Sequence, residues 1–234
     1  MSNVLEIRGL VAGYEGVPVV RDLDLSVAEG EVLALLGPNG AGKTTTLQTI
    51  SGLLPAIDGS IEVLGAAPTA RFPHKVARRG VGHVTEDRSL FFDLTAHQNL
   101  RLGARGRRRQ RLALERVLGL FPELEDLLDR KAGLLSGGQQ QMLALARALV
   151  AEPRLLLVDE MSLGLAPIIV QRLLPMVRAI ADDTGAGVVL VEQHLSMALE
   201  VADTVCVLVH GEVAAHGPAE DLRDRDLLAA TYLS

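Results

Sequence analysis

The chain has 234 residues, 48% of them hydrophobic, which is enough to bury a core in one large domain and excludes a disordered chain. Its formal net charge of −6 at pH 7 provides no general attraction for nucleic acid, so no nucleic-acid partner is expected. The one cysteine, Cys206, excludes an internal disulfide and a cysteine-based zinc site, and its apolar setting (Val205 to Val209) predicts a buried, inert thiol.

Residues Met1 to Gly9 alternate apolar and charged types and lack the basic start and apolar run of a signal peptide. No stretch reaches the ~18 consecutive apolar residues that a membrane span needs. The expectation is a cytoplasmic protein that can still attach to a membrane partner.

In chain order, Val4–Arg8 and Val19–Val27 read as strands, with alternation and β-branched residues. Glu31–Leu36 reads as a buried strand, Gly37–Gly42 as a loop and Lys43–Ser51 as a helix stopped by Gly52. Short strands follow at Ser60–Leu64 and Val81–Val84. From about Thr85 to Leu135 strand signals vanish, and Leu112, Leu114, Val117, Leu118 and Leu120 recur at helical spacing. Ser136–Val150 reads as a helix with a serine cap. Leu155–Val158 is a strand, and Pro167–Ala181 a helix with Pro in its first turn. Gly187–Val191 is a strand, Leu195–Ala202 a helix, and Val205–Val209 and Glu212–Ala215 form a hairpin around His210-Gly211. Strands that alternate with helices predict a mostly parallel α/β sheet. The helical stretch, about 86–150, reads as a subdomain inserted in a single domain spanning 1–234.

Three segments carry chemistry. In the first, Gly37-Pro38-Asn39-Gly40-Ala41-Gly42-Lys43-Thr44 joins a strand to a helix in the order of a phosphate-binding loop. Its glycines let backbone N–H groups converge on phosphate oxygens, and the helix N-terminus adds positive dipole. Lys43 supplies a point charge for the β- and γ-phosphates, Thr44 a hydroxyl for Mg²⁺, and Thr45 continues the first turn beside the nucleotide. The expected ligands are ATP and Mg²⁺. In the second, Leu155–Val158 ends in Asp159 and Glu160, at the strand end where parallel sheets bind ligands. Asp159 is placed to hold Mg²⁺, directly or through water, and Glu160 to polarise an attacking water. In the third, Leu135-Ser136-Gly137-Gly138-Gln139-Gln140 opens a helix with a hydroxyl and exposed N–H groups, a second anion site.

Leu-Ser-Gly-Gly-Gln followed by a strand ending in Asp-Glu resembles the ATP-binding-cassette (ABC) ATPases, over about Val4 to Val213. The resemblance implies a P-loop NTPase core, an N-terminal antiparallel β subdomain and an inserted helical subdomain. It also implies a nucleotide-sandwich dimer, homodimeric or heterodimeric with a related ATPase. There the phosphate loop of one subunit and Ser136, Gly137, Gly138 and Gln139 of the other clamp one ATP. Tyr14 takes the place of the aromatic residue that stacks on adenine.

Three positions depart from the commonest family pattern. Glu86 stands where a metal-contacting Gln is usual, and Met161 where Pro usually follows the catalytic Glu. Gln193 stands where the switch His is common, with His194 one residue later, so either can serve as the γ-phosphate switch.

Glu86, Ser162-Leu163-Gly164-Leu165-Ala166-Pro167, Glu192-Gln193 and the closing Ala230-Thr231-Tyr232-Leu233 are similar to the shorter ATPase subunit of branched-chain amino acid importers. That likeness implies separate permease subunits, a solute-binding protein reached through the complex, and a peripheral place on the cytoplasmic face of the inner membrane. It also implies that the solute, a branched-chain amino acid or a relative, never touches this chain. The alternative reading is a soluble ABC ATPase acting on nucleic acid or ribosomes. The family's permease groove maps near Glu86–Asn99, where Leu90-Phe91-Phe92 suits either docking or core packing. Six arginines between Arg101 and Arg111 suit a solvated helix face or anionic lipid.

Overall fold

Two 12-residue strands, β1 (Asn3–Tyr14) and β2 (Val17–Ala28), form an antiparallel hairpin in the computed structural model, which describes residues 2–104, 107–193 and 195–222. The turn residues Glu15 and Gly16 both have positive φ, 52° and 81°, as a tight hairpin requires. A third strand, β4 (Ala56–Val63), joins the other edge of β1. These strands run longer than their alternation predicts. Pairing continues past Gly9 because the register shifts between Ile7 and Leu10, and such a bulge hides the period-2 signal.

The second sheet follows the order β5 (Val81–Val84), β6 (Leu155–Asp159), β7 (Gly187–Glu192), β3 (Val32–Leu36), β8 (Thr204–Val209), β9 (Glu212–Pro218). All its neighbours are parallel except the β8–β9 hairpin. Every residue of β3, β6 and β7 is buried, since helices or the first sheet cover both faces of a parallel sheet.

Alternation divides the core. Leu33, Leu35, Leu155, Leu157, Val189 and Val191 pack toward the first sheet and α1 (Lys43–Ile50). Leu156, Val158, Val188 and Leu190 pack on the other face, against α5 (Gly137–Val150) and α6 (Pro167–Thr184). Ala34, Leu36, Val205 and Val207 are covered by α7 (Leu195–Val201). Helix α6 outruns its expected end at Ala181, because its stop is Gly185 in the left-handed conformation. Arg178 pairs with Asp182 at 2.7 Å in its last turns.

Between β5 and β6 the chain is helical: α3 (Ala96–Gly103), α4 (Arg107–Leu120) and two short 3-10 turns precede α5. Phe121, Leu124 and Leu100 are fully buried there and join Leu143 and Leu145 of α5. Helix α2 (Pro73–Arg79) has no counterpart in the sequence reading; only Val76 of its seven residues is buried, too little for a periodic signal. Phe91 and Phe92 lie at the surface, 55% and 52% exposed, which overturns core packing as their role. Cys206 is buried and its thiol is pushed up to about 12, as its apolar run predicts. Arg105, Gly106, His194 and Ala230–Leu233 lie outside the described residues.

Candidate functional site

The phosphate loop is fixed from two sides by strands. Gly37 leaves β3 with φ 151°, and a Cβ built there would lie 2.2 Å from the Leu208 carbonyl oxygen of β8. Gly42 caps α1 at φ 103°, where a Cβ would lie 2.6 Å from Val20 of β2. Only glycine passes through both gaps. Pro38, Asn39 and Gly40 face outward, whereas Ala41 is buried. Helix α1 receives no side-chain cap and has no acidic residue in its first turn, so its leading N–H groups are open to an anion. Thr44 and Thr45 stand in that turn, and the Thr46 hydroxyl donates to the Gly42 carbonyl at 2.9 Å.

Lys43 is 4% exposed and folds over the loop. Its Nζ donates to the carbonyls of Gly37 and Pro38, at 2.9 and 3.0 Å, and lies 3.4 Å from Oε1 of Glu160. The other Glu160 oxygen accepts from Gln193 Nε2 at 2.8 Å, and the same nitrogen reaches Asn39 Oδ1 at 2.9 Å. Adjacent parallel strands produce this meeting. Asp159 of β6 sits beside Val191 of β7, so the residues that follow leave the sheet together. Glu160 turns away at φ 43°, a left-handed conformation uncommon for a non-glycine residue, and its N–H donates to Val191 O at 3.0 Å.

Asp159 is 2% exposed, and its Oδ1 has no hydrogen-bond partner among the described residues. Burial pushes its carboxyl up to about 6; the Thr44 hydroxyl pulls it down, the Glu160 and Glu86 charges push it up, and Lys43 opposes them. A buried carboxylate with an idle oxygen, beside a threonine hydroxyl and further acids, is a donor set that suits a hard divalent cation. It faces a cleft of about 520 Å³ whose lining includes Thr44, His83, Glu86, Asp87 and Arg88.

Tyr14, at the end of β1, is 47% exposed, and its hydroxyl hydrogen-bonds Oε1 of Gln48 at 3.1 Å. Gln48 lines the same cleft, which Tyr14 reaches through that bond. The structure thus gathers Asn39, Lys43, Thr44, Glu86, Asp159, Glu160 and Gln193 in one region. It does not bring the second glycine motif there. Ser136 caps α5, accepting from Gln139 N while the Gln139 side chain accepts from Ser136 N. Ser136, Gly138 and Gln139 line a separate groove with Met142 and Ile169.

Sequence reasoning missed three residues. Arg88 donates to Gln141 at 2.9 Å and to Gln140 at 3.0 Å, tying the loop after β5 to α5. Glu192, fully buried, accepts from Ser162 N at 3.2 Å and Ser162 Oγ at 2.5 Å, which anchors the loop after Glu160. His83 lines the cleft from the otherwise apolar β5. A charged or imidazole side chain inside an apolar strand was the available signal for the last two.

A strand–loop–helix with a buried lysine over a phosphate cradle, beside a strand ending in two carboxylates, defines a P-loop ATPase. The chain belongs to the ABC transporter family, whose profile matches residues 20–162, and family members hydrolyse ATP. It is 37% identical to the high-affinity branched-chain amino acid transport ATP-binding protein BraG of Pseudomonas aeruginosa, over 94% of this chain and 95% of that one. It is 34% identical to the lipopolysaccharide export system ATP-binding protein LptB of Escherichia coli K12, over 94% and 93%. A solved structure of the ATP-binding subunit of an ABC transporter superposes with TM-score 0.85 at 30% identity, covering 97% of this chain and 99% of that chain. The mostly parallel α/β sheet expected from the sequence therefore stands, as does the ATPase activity.

Proposed function

We propose that this chain is the ATP-hydrolysing subunit of a membrane importer for branched-chain amino acids or related small solutes. It works as a dimer, with itself or a related ATPase, beneath separate permease subunits. What supports the dimer is that the two glycine motifs of one chain do not meet. The phosphate loop opens into one cleft, and the α5 N-terminus lines another. The capping box engages the N–H groups of Ser136 and Gln139 and not those of Gly137 and Gly138, the first two of the helix. A two-fold axis pairs each loop with the partner's α5.

Within that site, Glu160 orients the attacking water and Gln193 holds Glu160 and senses the γ-phosphate. Thr44, Asp159 and Glu86 hold Mg²⁺, which when bound neutralises phosphate charge. Phosphate displaces the loop carbonyls from Lys43, a change that also loosens its contact with Glu160. Tyr14 stacks on adenine. Residues 86–150 act as a subdomain whose α5 delivers the signature to the partner.

The importer reading draws on the likeness to BraG, and the exposed Phe91 and Phe92 suit contact with a permease. No helix among the described residues is long and apolar enough to cross a membrane. The likeness to LptB supports a second reading, an ATPase that drives export of an amphiphile. Reconstitution with the co-purifying permeases tests both. Branched-chain amino acids with their binding protein should stimulate ATP hydrolysis. Stimulation by an exported amphiphile alone would replace the importer reading, and turnover strictly linear in enzyme concentration, with no association, would remove the shared site.

A further inference from the structure

The imidazole of His83 is anomalous for a core position. Strand β5 pairs residue by residue with β6, His83 opposite Leu157, so His83 shares the face of Val81, Leu155, Leu157 and Asp159. That face looks onto α1, and His83 lines the cleft with Thr44, Gln48, Glu86 and Asp159. Both ring nitrogens are buried, and neither has a hydrogen-bond partner among the described residues. Burial drives the ring down to about 4, against the weaker pull of Asp87. At neutral pH the ring therefore offers one N–H and one lone pair. A buried imidazole with both groups unmet is costly unless a partner arrives.

We propose that His83 is a positioning residue for the ATP-bound cation, hydrogen-bonded to a water in its outer shell. Three considerations fix the kind of partner. The cleft that His83 lines has room for water, and a small turn of the ring would bring a nitrogen to it. Its other lining groups are chiefly hydroxyls and carboxylates, which attract a hydrated cation and not a second anion. A hard cation takes oxygen ligands first, so the imidazole acts beyond the first shell. A hard cation that keeps several of its waters supplies the missing partner. A neutral imidazole takes such a water without adding charge to an already acidic cleft.

This inference rests on the reading of the cleft as an ATP–Mg²⁺ site, and its test separates the two. Binding of a non-hydrolysable ATP analogue is titrated with Mg²⁺ in the full chain and compared with binding in EDTA. His83→Leu should raise the half-saturating Mg²⁺ concentration about fivefold, the loss of one hydrogen bond. Binding in EDTA should stay within about twofold, and the thermal midpoint without nucleotide should hold or rise, because two unmet polar atoms are gone. His83→Gln should restore the Mg²⁺ dependence. An unchanged Mg²⁺ dependence in His83→Leu, or an equal loss with and without Mg²⁺, would make His83 a core residue only. Asp159→Asn run in parallel tests the underlying reading. If it shifts the Mg²⁺ dependence while His83→Leu does not, only the histidine's role fails; if neither does, the cleft reading fails with it. Should His83→Leu not fold, His83→Met replaces it. Pulsed EPR of bound Mn²⁺ adds a check on the wild-type chain, since strong coupling to an imidazole nitrogen would place His83 in the first shell and overturn the proposal.

Discussion

Gln193 donates a hydrogen bond from Nε2 to Oε2 of Glu160 at 2.8 Å and, from the same nitrogen, reaches Asn39 of the phosphate loop at 2.9 Å. One amide thus joins the end of β7 to the turn after β6 and to the loop after β3. An amide cannot change charge, so a switch built on it acts by geometry. Gln193→Ala should lower kcat about 10- to 100-fold with KM changed less than about threefold, because Glu160 remains but loses its orientation. Glu160→Gln should lower kcat by about 10³ or more while ATP still binds. Steady-state phosphate release measures both. Equal effects on kcat and KM in Gln193→Ala would assign Gln193 to ground-state binding.

Asp159 sets a pH dependence in the metal-free protein. Its carboxyl lies at about 6 in the folded chain, against an ordinary value of 3.8. A raised carboxyl contributes most to stability when protonated. Its contribution is complete below about pH 4 and fades as pH rises through about 6. Asp159→Asn should therefore stabilise the metal-free chain at pH 8 by roughly 2 kcal/mol and have little effect near pH 4. Denaturant unfolding at the two pH values in EDTA checks the sign. A variant equally stabilised at both would separate the effect from titration.

Tyr14 offers a ring and a hydroxyl, and the two separate cleanly. The hydroxyl is occupied by Gln48, so the ring is what remains for a purine. Tyr14→Phe should leave ATP affinity within about twofold, and Tyr14→Ala should weaken it about fivefold or more, the scale of one base-stacking contact. Fluorescent-nucleotide displacement reads both. Equal loss in the two variants would shift the role to the Gln48 contact.

Arg88 couples the loop carrying Glu86 to α5. Its guanidinium reaches Gln140 and Gln141, and Arg147 of the same helix donates to the carbonyls of Ser89 at 2.7 Å and Arg88 at 3.3 Å. Arg88 and Ser89 both hold positive φ, 64° and 46°, so the loop's shape depends on these ties. Arg88→Ala should cost about 1–3 kcal/mol in denaturant unfolding, as lost hydrogen bonds to a charged group do. A loss below about 0.5 kcal/mol would show that Arg147 alone holds the loop.

What could be read from the sequence was chemistry carried by consecutive residues. Gly37 to Thr44 and Leu155 to Glu160 each hold their whole signal in one stretch, and the parallel order followed from apolar strands set between helical periods. Pairings between distant segments escaped. Nothing near Gln193 announces Asn39, and Ser162 does not announce Glu192. The β1 strand looked finished at Gly9 because a register shift breaks the alternation that marks a strand. Phe91 and Phe92 looked equally suited to core and surface, since two adjacent apolar residues have no period. His83 reads in the sequence as one polar residue in an apolar strand, and only its unmet nitrogens set it apart.

Strand β3 bears the phosphate loop at its end, yet both its neighbours, β7 and β8, come from the last part of the chain, and Gly37 takes its shape against Leu208. On the ribosome, a nascent chain holds the complete Gly37–Thr44 motif long before either flanking strand emerges. The motif is then an unframed segment with nothing to hold its glycines in place. Competence to bind nucleotide should arise late and abruptly in synthesis, when Thr204–Val209 docks. A chain interrupted between Gln193 and Thr204 carries every one of these motifs and no working site.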